Sequence, residues 1–332
     1  MAAAHDPPPV LVAPDSFKGT LRATEVASAI GRGLERAGLH PPDLCPIADG
    51  GDGTAEVLLL AMGGEVRAAP ATDPLDRPLK AGFALVDGGG TAIVEVAEAS
   101  GLARVAPEER DPVTASTRGT GELIVAAAAA GAEVVLVAAG GSATTDGGAG
   151  ALEAIADAGG LGATTLVVLC DVRTPFEEAA VRFGPQKGAD PPTVELLTER
   201  LHDHAARLPR DPRGVPHTGA AGGLAGGLWA THGARLVNGA NVVLDELDYD
   251  TRMRAARAVV VGEGRLDATT LQGKALGEAA TRARQAGVPC HAVVGQDALG
   301  LLERRILDLQ VLLEAGTIAE LEDAGERLAA LL

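Results

Sequence analysis

Apolar and polar positions alternate along the chain in short blocks whose period changes several times. Val10–Ala13 is an apolar run that stops at Pro14-Asp15-Ser16. A 3.6-residue pattern follows from Thr24 to Ala37, with Thr24 as the expected N-cap and Gly38 as the stop. Asp43–Ile47 reads as a second strand; it runs into Ala48-Asp49-Gly50-Gly51-Asp52-Gly53-Thr54, after which Ala55–Met62 is helical. Strand, loop and helix, repeated, is the grammar of an α/β sheet that carries ligand loops at its strand C-termini.

The period then falls to two. Glu65–Ala71, Pro78–Val86 and Thr91–Val96 predict an antiparallel meander with turns at Asp73–Asp76 and Asp87–Gly90. That change suggests a second domain. Beyond it come a helix over Ser116–Ala130, a strand over Glu133–Ala138 and a glycine-rich loop, Gly140–Gly148, opening a helix near Gly150–Ala158. Leu166–Leu169 is a buried strand ending at Cys170-Asp171. A helix near Thr193–Leu208, a surface loop at Pro209–Pro216 and a closely packed helix over Gly219–Gly233 follow. The last third predicts strands at Ala258–Val261, Pro289–Val294 and Gln310–Leu313, with helices at Gln272–Ala286 and on both sides of the final strand. The fold class is therefore α/β, and no repeat of fixed period occurs.

Composition narrows the chemistry. At 332 residues the chain has room for about two domains. Aromatics are only 2%, so the cores must be built from Ala, Val, Leu and Ile. The net charge of −17 opposes nucleic-acid and anionic-membrane partners. It also requires that an anionic ligand be met by locally placed cations or by Mg²⁺. Cys45, Cys170 and Cys290 are scattered, which excludes a Cys zinc site and fits a reducing cytoplasm. Residues 1–9 have neither the basic nor the apolar region of a secretory signal and read as a frayed tail. The most apolar stretch, Leu123–Ala139, is broken by Gly131 and Glu133, so the chain is expected to be soluble.

No Walker loop, G-x-G-x-x-G, H-E-x-x-H or G-x-S-x-G is present. His202-x-His204 points its two rings to different sides of a helix and reads as solvated. What recurs is glycine, carboxylate and cation together at predicted strand ends. Asp15-Ser16-Phe17-Lys18 precedes a helix and reads either as a cap or as a ligand loop. Gly50-Gly51-Asp52-Gly53 reads either as a tight turn or as backbone amides open to phosphate. Gly140–Gly148 has the density of glycine and hydroxyl expected of an anion nest at a helix N-terminus. Phe183–Ala189 carries Lys187, the only cation from Phe183 to Glu199. Gly262-Glu263-Gly264-Arg265-Leu266-Asp267, followed by Gly273-Lys274, places two acids and two cations in one strand-to-helix connection. As a set, these cations, carboxylates and amides suit phosphoryl transfer.

At these residues the chain resembles the bacterial type I glycerate kinases. The matching strings are APDSFKGTL (13–21), ADGGDGT (48–54), the segment from Arg110 to Ile124, GGSATTDGG (140–148), CDV (170–172), FGPQKGA (183–189), GAAGGL (219–224) and VGEGRLD through GK (261–274). They lie in family order from about Val10 to Gln296. The resemblance implies ATP- and Mg²⁺-dependent phosphorylation of D-glycerate, giving 2-phosphoglycerate. It also implies two α/β domains, one a Rossmann/flavodoxin-like parallel sheet, with the active-site cleft between them. Thr145, Thr174, Phe176 and Leu276 depart from the family pattern, and the segments 158–166 and 176–183 are short, so cleft loops are expected there. A kinase of another small hydroxy-carboxylic acid and a non-catalytic phosphometabolite binder are the competing readings.

The expected roles divide as follows. Asp49, Asp52, Asp171, Lys187 and Arg265 are candidates for catalysis. Lys18, Gly50, Gly51, Gly53, Gly141, Ser142, Asp146 and Lys274 are candidates for ATP. Asp15, Ser16, Arg118 and Arg265 are candidates for the acceptor acid, and Glu263 and Asp267 for Mg²⁺. Residues 1–64 with 258–332 are expected to form the parallel domain, and 65–257 an inserted second domain.

Overall fold

A computed structural model describes residues 7–332, so part of the stretch read as a frayed tail lies outside the described residues. The chain divides into two compact units. One is drawn from the segments up to Asp49 and from Ala240 onward; the other is Gly50–Gly239. No helix among the described residues is long and apolar enough to cross a membrane.

The first unit holds a five-stranded, fully parallel sheet. Its strands are β1 (Val10–Pro14), β2 (Asp43–Leu44), β9 (Ala258–Leu266), β10 (Cys290–Asp297) and β11 (Leu309–Glu314), in the order β11-β10-β9-β1-β2. β1 and most of β9 are buried, as near-continuous apolar runs in a covered parallel sheet should be. Val10, Val12, Val260 and Val293 meet Val26, Ile30 and Leu34 of the helix Ala23–Arg36 and Leu321 and Leu328 of the helix Ile318–Ala329. These two helices cross closely at glycines: a Cβ on Gly33 would stand 2.0 Å from the Glu322 carbonyl oxygen, and one on Gly325 2.4 Å from that of Ile30. Helix Ala275–Ala286 packs on β9 and β10.

The second unit holds a six-stranded sheet in chain order: β3 (Glu65–Thr72), β4 (Pro78–Val86), β5 (Thr91–Glu95), β6 (Val134–Ala138), β7 (Thr165–Cys170) and β8 (Arg235–Asn238). β3 to β5 form the expected meander, and β5 to β8 run parallel. Helix Arg118–Ala129 sends Leu123, Ile124 and Ala127 into the core. Its small residues permit close packing: a Cβ on Gly119 would stand 1.9 Å from the Thr72 carbonyl oxygen, and one on Gly121 2.6 Å from Ala151 Cα.

Several expectations change. The first helix starts at Ala23, where the Arg22 amide donates to the Glu25 carboxylate at 2.9 Å, so Thr24 is not the cap. The units part at 49/50 and 239/240, ahead of the expected 64/65 and 257/258. Helix Thr54–Met62 packs on β4 and β5, which draws it into the second unit. Residues 240–257 join the first unit because Arg252 pairs with Asp43 and the Tyr249 hydroxyl donates to the Ala279 carbonyl at 3.0 Å. β8 and the helices Gly239–Glu246 and Tyr249–Ala255 are additional elements. The expected helix over Gly219–Gly233 forms only from Leu224, because Ala221 and Gly222 turn left-handed before it.

Candidate active site

In the first sheet the connections leave β1 in one direction and β9 in the other, so the strand order reverses between them. Ligands of open parallel sheets sit beyond the strand C-termini at such a point. A cavity of about 360 Å³ opens there. Asp15 and Ser16 reach it from the end of β1, Asp49 from the chain after β2, and Glu263, Gly264 and Arg265 from β9. Lys18 and Lys274 complete the charged lining. Seven of the residues singled out from the sequence thus share one pocket.

The acids of this pocket lie deep and the cations lie at its rim. Asp15, Asp49 and Glu263 are 5%, 1% and 6% exposed. The Lys18 side chain is 55% exposed, and its ammonium donates to Asp49 Oδ2 at 2.9 Å. Asp15 accepts from the Ser16 amide at 2.6 Å, while its own amide donates to the Gly262 carbonyl, locking the β1 end to β9. Burial, with the Asp49 charge adding to it, pushes the Asp15 carboxyl up to about 8. Burial lifts Glu263 to about 7, against the pull of the Thr270 hydroxyl and of Lys274. Arg265 is aimed by a 3.2 Å bond to Gln296 Oε1 and by Asp267 at 3.4 Å. Raised Asp15 and Glu263 can donate as well as accept hydrogen bonds at the floor of the pocket, while the exposed cations above can hold an anion.

The second unit gathers its candidates at the C-terminal ends of β5 to β8. Gly50 and Gly51 serve close packing: a Cβ on Gly50 (φ +91°) would meet Gly239 Cα at 2.8 Å, and one on Gly140 would meet Gly51 Cα at 2.5 Å. Gly53, also left-handed, starts the helix Thr54–Met62. Asp52 is exposed beside it. Asp171 follows β7, next to Asn238 at the end of β8. Gly141 is exposed, whereas Ser142 is buried and its hydroxyl accepts from Lys187 Nζ at 2.9 Å. Lys187 is 2% exposed, and burial pushes its ammonium down to about 7. It is no solvated loop lysine.

Three assignments made from the sequence meet side chains already committed to structure. Asp146 accepts from the Thr117 amide and hydroxyl, the Gly148 amide and the Gly150 amide, at 2.7–3.1 Å. It therefore caps the helix Ala149–Asp157 and has little left for a nucleotide. Arg118 is held by Asp157 at 2.7 Å and by Glu122 in a surface ion-pair network. Asp267 Oδ1 accepts from the Thr269 amide and hydroxyl and caps the turn Ala268–Gln272. Phe176, expected near a cleft loop, is fully buried with Leu197 and Leu201.

Sequence reading missed Gln296, because the expected strand stopped at Val294 while β10 continues to Asp297. It also missed Glu95, whose buried carboxylate accepts from the Ala55 amide at 2.7 Å. Burial raises Glu95 to about 7, against that bond and with Asp52 and Glu98 adding to the rise. A glutamate closing a strand was the available signal.

Fold and pocket define a class first: an α/β enzyme built to hold a small, charged molecule at a parallel-sheet switch point. The glycerate kinase family profile matches residues 10–159 and 157–320. Glycerate 2-kinase of Escherichia coli K12 is 35% identical, with 94% of this chain and 92% of that protein covered. Glycerate kinase of Bacillus subtilis 168 is 36% identical, over 86% and 84%. A Salmonella typhimurium LT2 protein, whose crystal structure bears the provisional name glycerate kinase 2, superposes with a TM-score of 0.81. It is 32% identical, over 98% of both chains. The chain belongs to the glycerate kinase family. It is a kinase of a small-molecule substrate, and the family implies ATP as phosphoryl donor.

Proposed function

We propose that the protein transfers the γ-phosphoryl group of Mg²⁺-complexed ATP to a hydroxyl of D-glycerate, giving 2-phosphoglycerate, as the type I enzymes do. The observation that carries this reading is the pocket of the first unit, with Asp15, Asp49 and Glu263 deep and Lys18, Arg265 and Lys274 above them. Glycerate carries one carboxylate and two hydroxyls. The Arg265 fork and the lysines suit the carboxylate, and the buried acids suit the hydroxyls. Asp49, paired with Lys18 at 2.9 Å, is the group we assign to accept the proton of the attacking hydroxyl. The hydroxyl oxygen bonds to the γ-phosphorus as the bond to the β,γ-bridging oxygen breaks, and ADP leaves with that electron pair. Gly53 and Gly141 are the proposed phosphate-facing groups of the second unit; Asp52 precedes Gly53 and Asp171 follows β7.

The donor chemistry fits Mg²⁺, a hard cation that takes one or two carboxylates and otherwise phosphate oxygens and water. Among the described residues no group of three or more His, Cys, Asp or Glu could hold a metal ion unaided, so the ion would arrive with the nucleotide. Glu263 would hold it, since Asp267 is committed to its turn. When bound, Mg²⁺ neutralises the charge that develops on the β- and γ-oxygens. Steady-state assay of a panel of hydroxy acids with ATP, with and without chelator, tests the reading. The expected result is highest kcat/KM for D-glycerate and no turnover in excess chelator. Preference for another acid, or undiminished turnover in chelator, overturns it.

A further inference from the structure

Lys187 closes the single turn Pro185–Lys187, and Gly188 with φ +99° turns the chain away from it. Its side chain points inward. Nζ donates to Ser142 Oγ at 2.9 Å and to the Thr144 carbonyl at 2.5 Å, and the residue is 2% exposed. Among the described residues no carboxylate forms an ion pair with it. The acid whose field reaches it, Asp146, is engaged by Thr117, Gly148 and Gly150. Burying an ammonium without a paired acid is unfavourable, so packing alone does not account for a lysine here. Both of its acceptors belong to one segment, the glycine-rich loop Gly140–Gly148. The loop's other buried hydroxyls, Thr144 Oγ1 and Thr145 Oγ1, have no partner, so they add nothing that fixes its shape. The loop is tied from behind by Lys187 and from the side by backbone bonds to Ser100 and Leu102.

We propose that Lys187 is a positioning residue that fixes the Gly140–Gly148 loop through Ser142 and Thr144, and that it does not itself touch the transferred phosphoryl group. This rests on the reading of that loop as phosphate-facing. The tie leaves Gly141 exposed at the outer side of the loop, while the ammonium stays on the inner side.

Hydrogen–deuterium exchange of the full chain, read on peptides covering 140–148, tests the tie directly. Steady-state kinetics tests its consequence. Lys187→Met should accelerate exchange of this loop by about tenfold or more. It should raise KM for ATP by roughly tenfold to a hundredfold, the scale of a lost charged hydrogen bond. The KM for glycerate should change little, and kcat less than KM for ATP. Ser142→Ala removes one of the two ties without burying or exposing charge, so it reports even where Lys187→Met fails to fold, and should move both readouts the same way by less. A kcat loss on the order of 10³ with unchanged loop exchange would mark a direct catalytic contact and overturn the proposal. So would unchanged loop exchange in both variants. Mg·ADP added to the parent separates the two readings. Without slowed exchange in the loop, the phosphate reading fails, while the comparison of variants still decides the positioning.

Discussion

The pocket of the first unit and the glycine loop of the second are written in the same alphabet of glycine, carboxylate and lysine, yet they spend it differently. In the pocket, Asp15 and Glu263 are buried acids lifted toward neutrality, and Lys18 and Arg265 are largely exposed. In the loop, Asp146 takes four donors and Lys187 has two acceptors, all from within the unit. The first arrangement keeps capacity for a ligand. The second uses its charges to hold backbone. The same residue types between glycines thus serve two ends, a ligand in the pocket and the shape of the backbone in the loop.

Substitutions can break this contrast, and the largest effect belongs to the pocket. Asp49→Asn should lower kcat by about 10²–10⁴, the usual contribution of a general base, with thermal stability nearly retained. Arg265→Ala should follow, lowering kcat/KM for glycerate by about 10²–10³. A loss of only a few-fold in either variant would remove that residue from the mechanism. The loop should answer in stability instead. Asp146→Ala strands a hydroxyl and three backbone amides, and should cost about 3 kcal/mol, or roughly 6–12 °C in the melting temperature. Calorimetry showing an unshifted melting temperature would contradict the capping role.

Glu95 gives a finer probe. Its carboxyl is raised from 4.5 to about 7 in the fold. Between these values the native state keeps a proton that the unfolded chain has lost, so stability falls as pH rises through this window. Glu95→Gln keeps an acceptor for the Ala55 amide and should gain on the parent progressively from about pH 4.5 to about pH 7. Denaturant midpoints across that range should diverge; parallel curves would mean that Glu95 titrates normally. The smallest change is expected at Arg118→Ala, which loses exposed ion pairs worth less than about 1 kcal/mol and should leave kcat/KM within about threefold.

Much of the architecture was legible because period and punctuation agree. β1, the meander and helix Arg118–Ala129 stand close to where alternation, glycine and proline put them, whereas β9 runs past the expected Val261 to Leu266, so Glu263 and Arg265 stand on the strand and not in a strand-to-helix connection. β8 was not legible, since Arg235–Asn238 is only four residues long and half-exposed. Nor was the membership of helix Thr54–Met62, because its apolar residues lie nearly all round it and do not state which sheet it will cover. For the site, strand-end position was enough to bring Asp15, Lys18, Asp49, Glu263, Arg265 and Lys274 into view. It could not reveal that Asp146 and Arg118 are held by Thr117 and Asp157, because hydrogen-bond partners 29 or 39 residues away leave no trace in local spacing; the Asp267 bond to Thr269 is local and was open to a reading as a turn cap.

The glycine crossing of Ala23–Arg36 with Ile318–Ala329 sets an order of events during synthesis. The parallel sheet gathers strands from both extremes of the polypeptide, and Gly33 cannot find its seat until Gly325 has left the ribosome. The interposed 190-residue stretch is contiguous and can reach its native packing while its host is still incomplete. A nascent chain arrested before Ile318 should thus leave the face of helix Ala23–Arg36 around Gly33 open to solvent and chaperones until helix Ile318–Ala329 is translated.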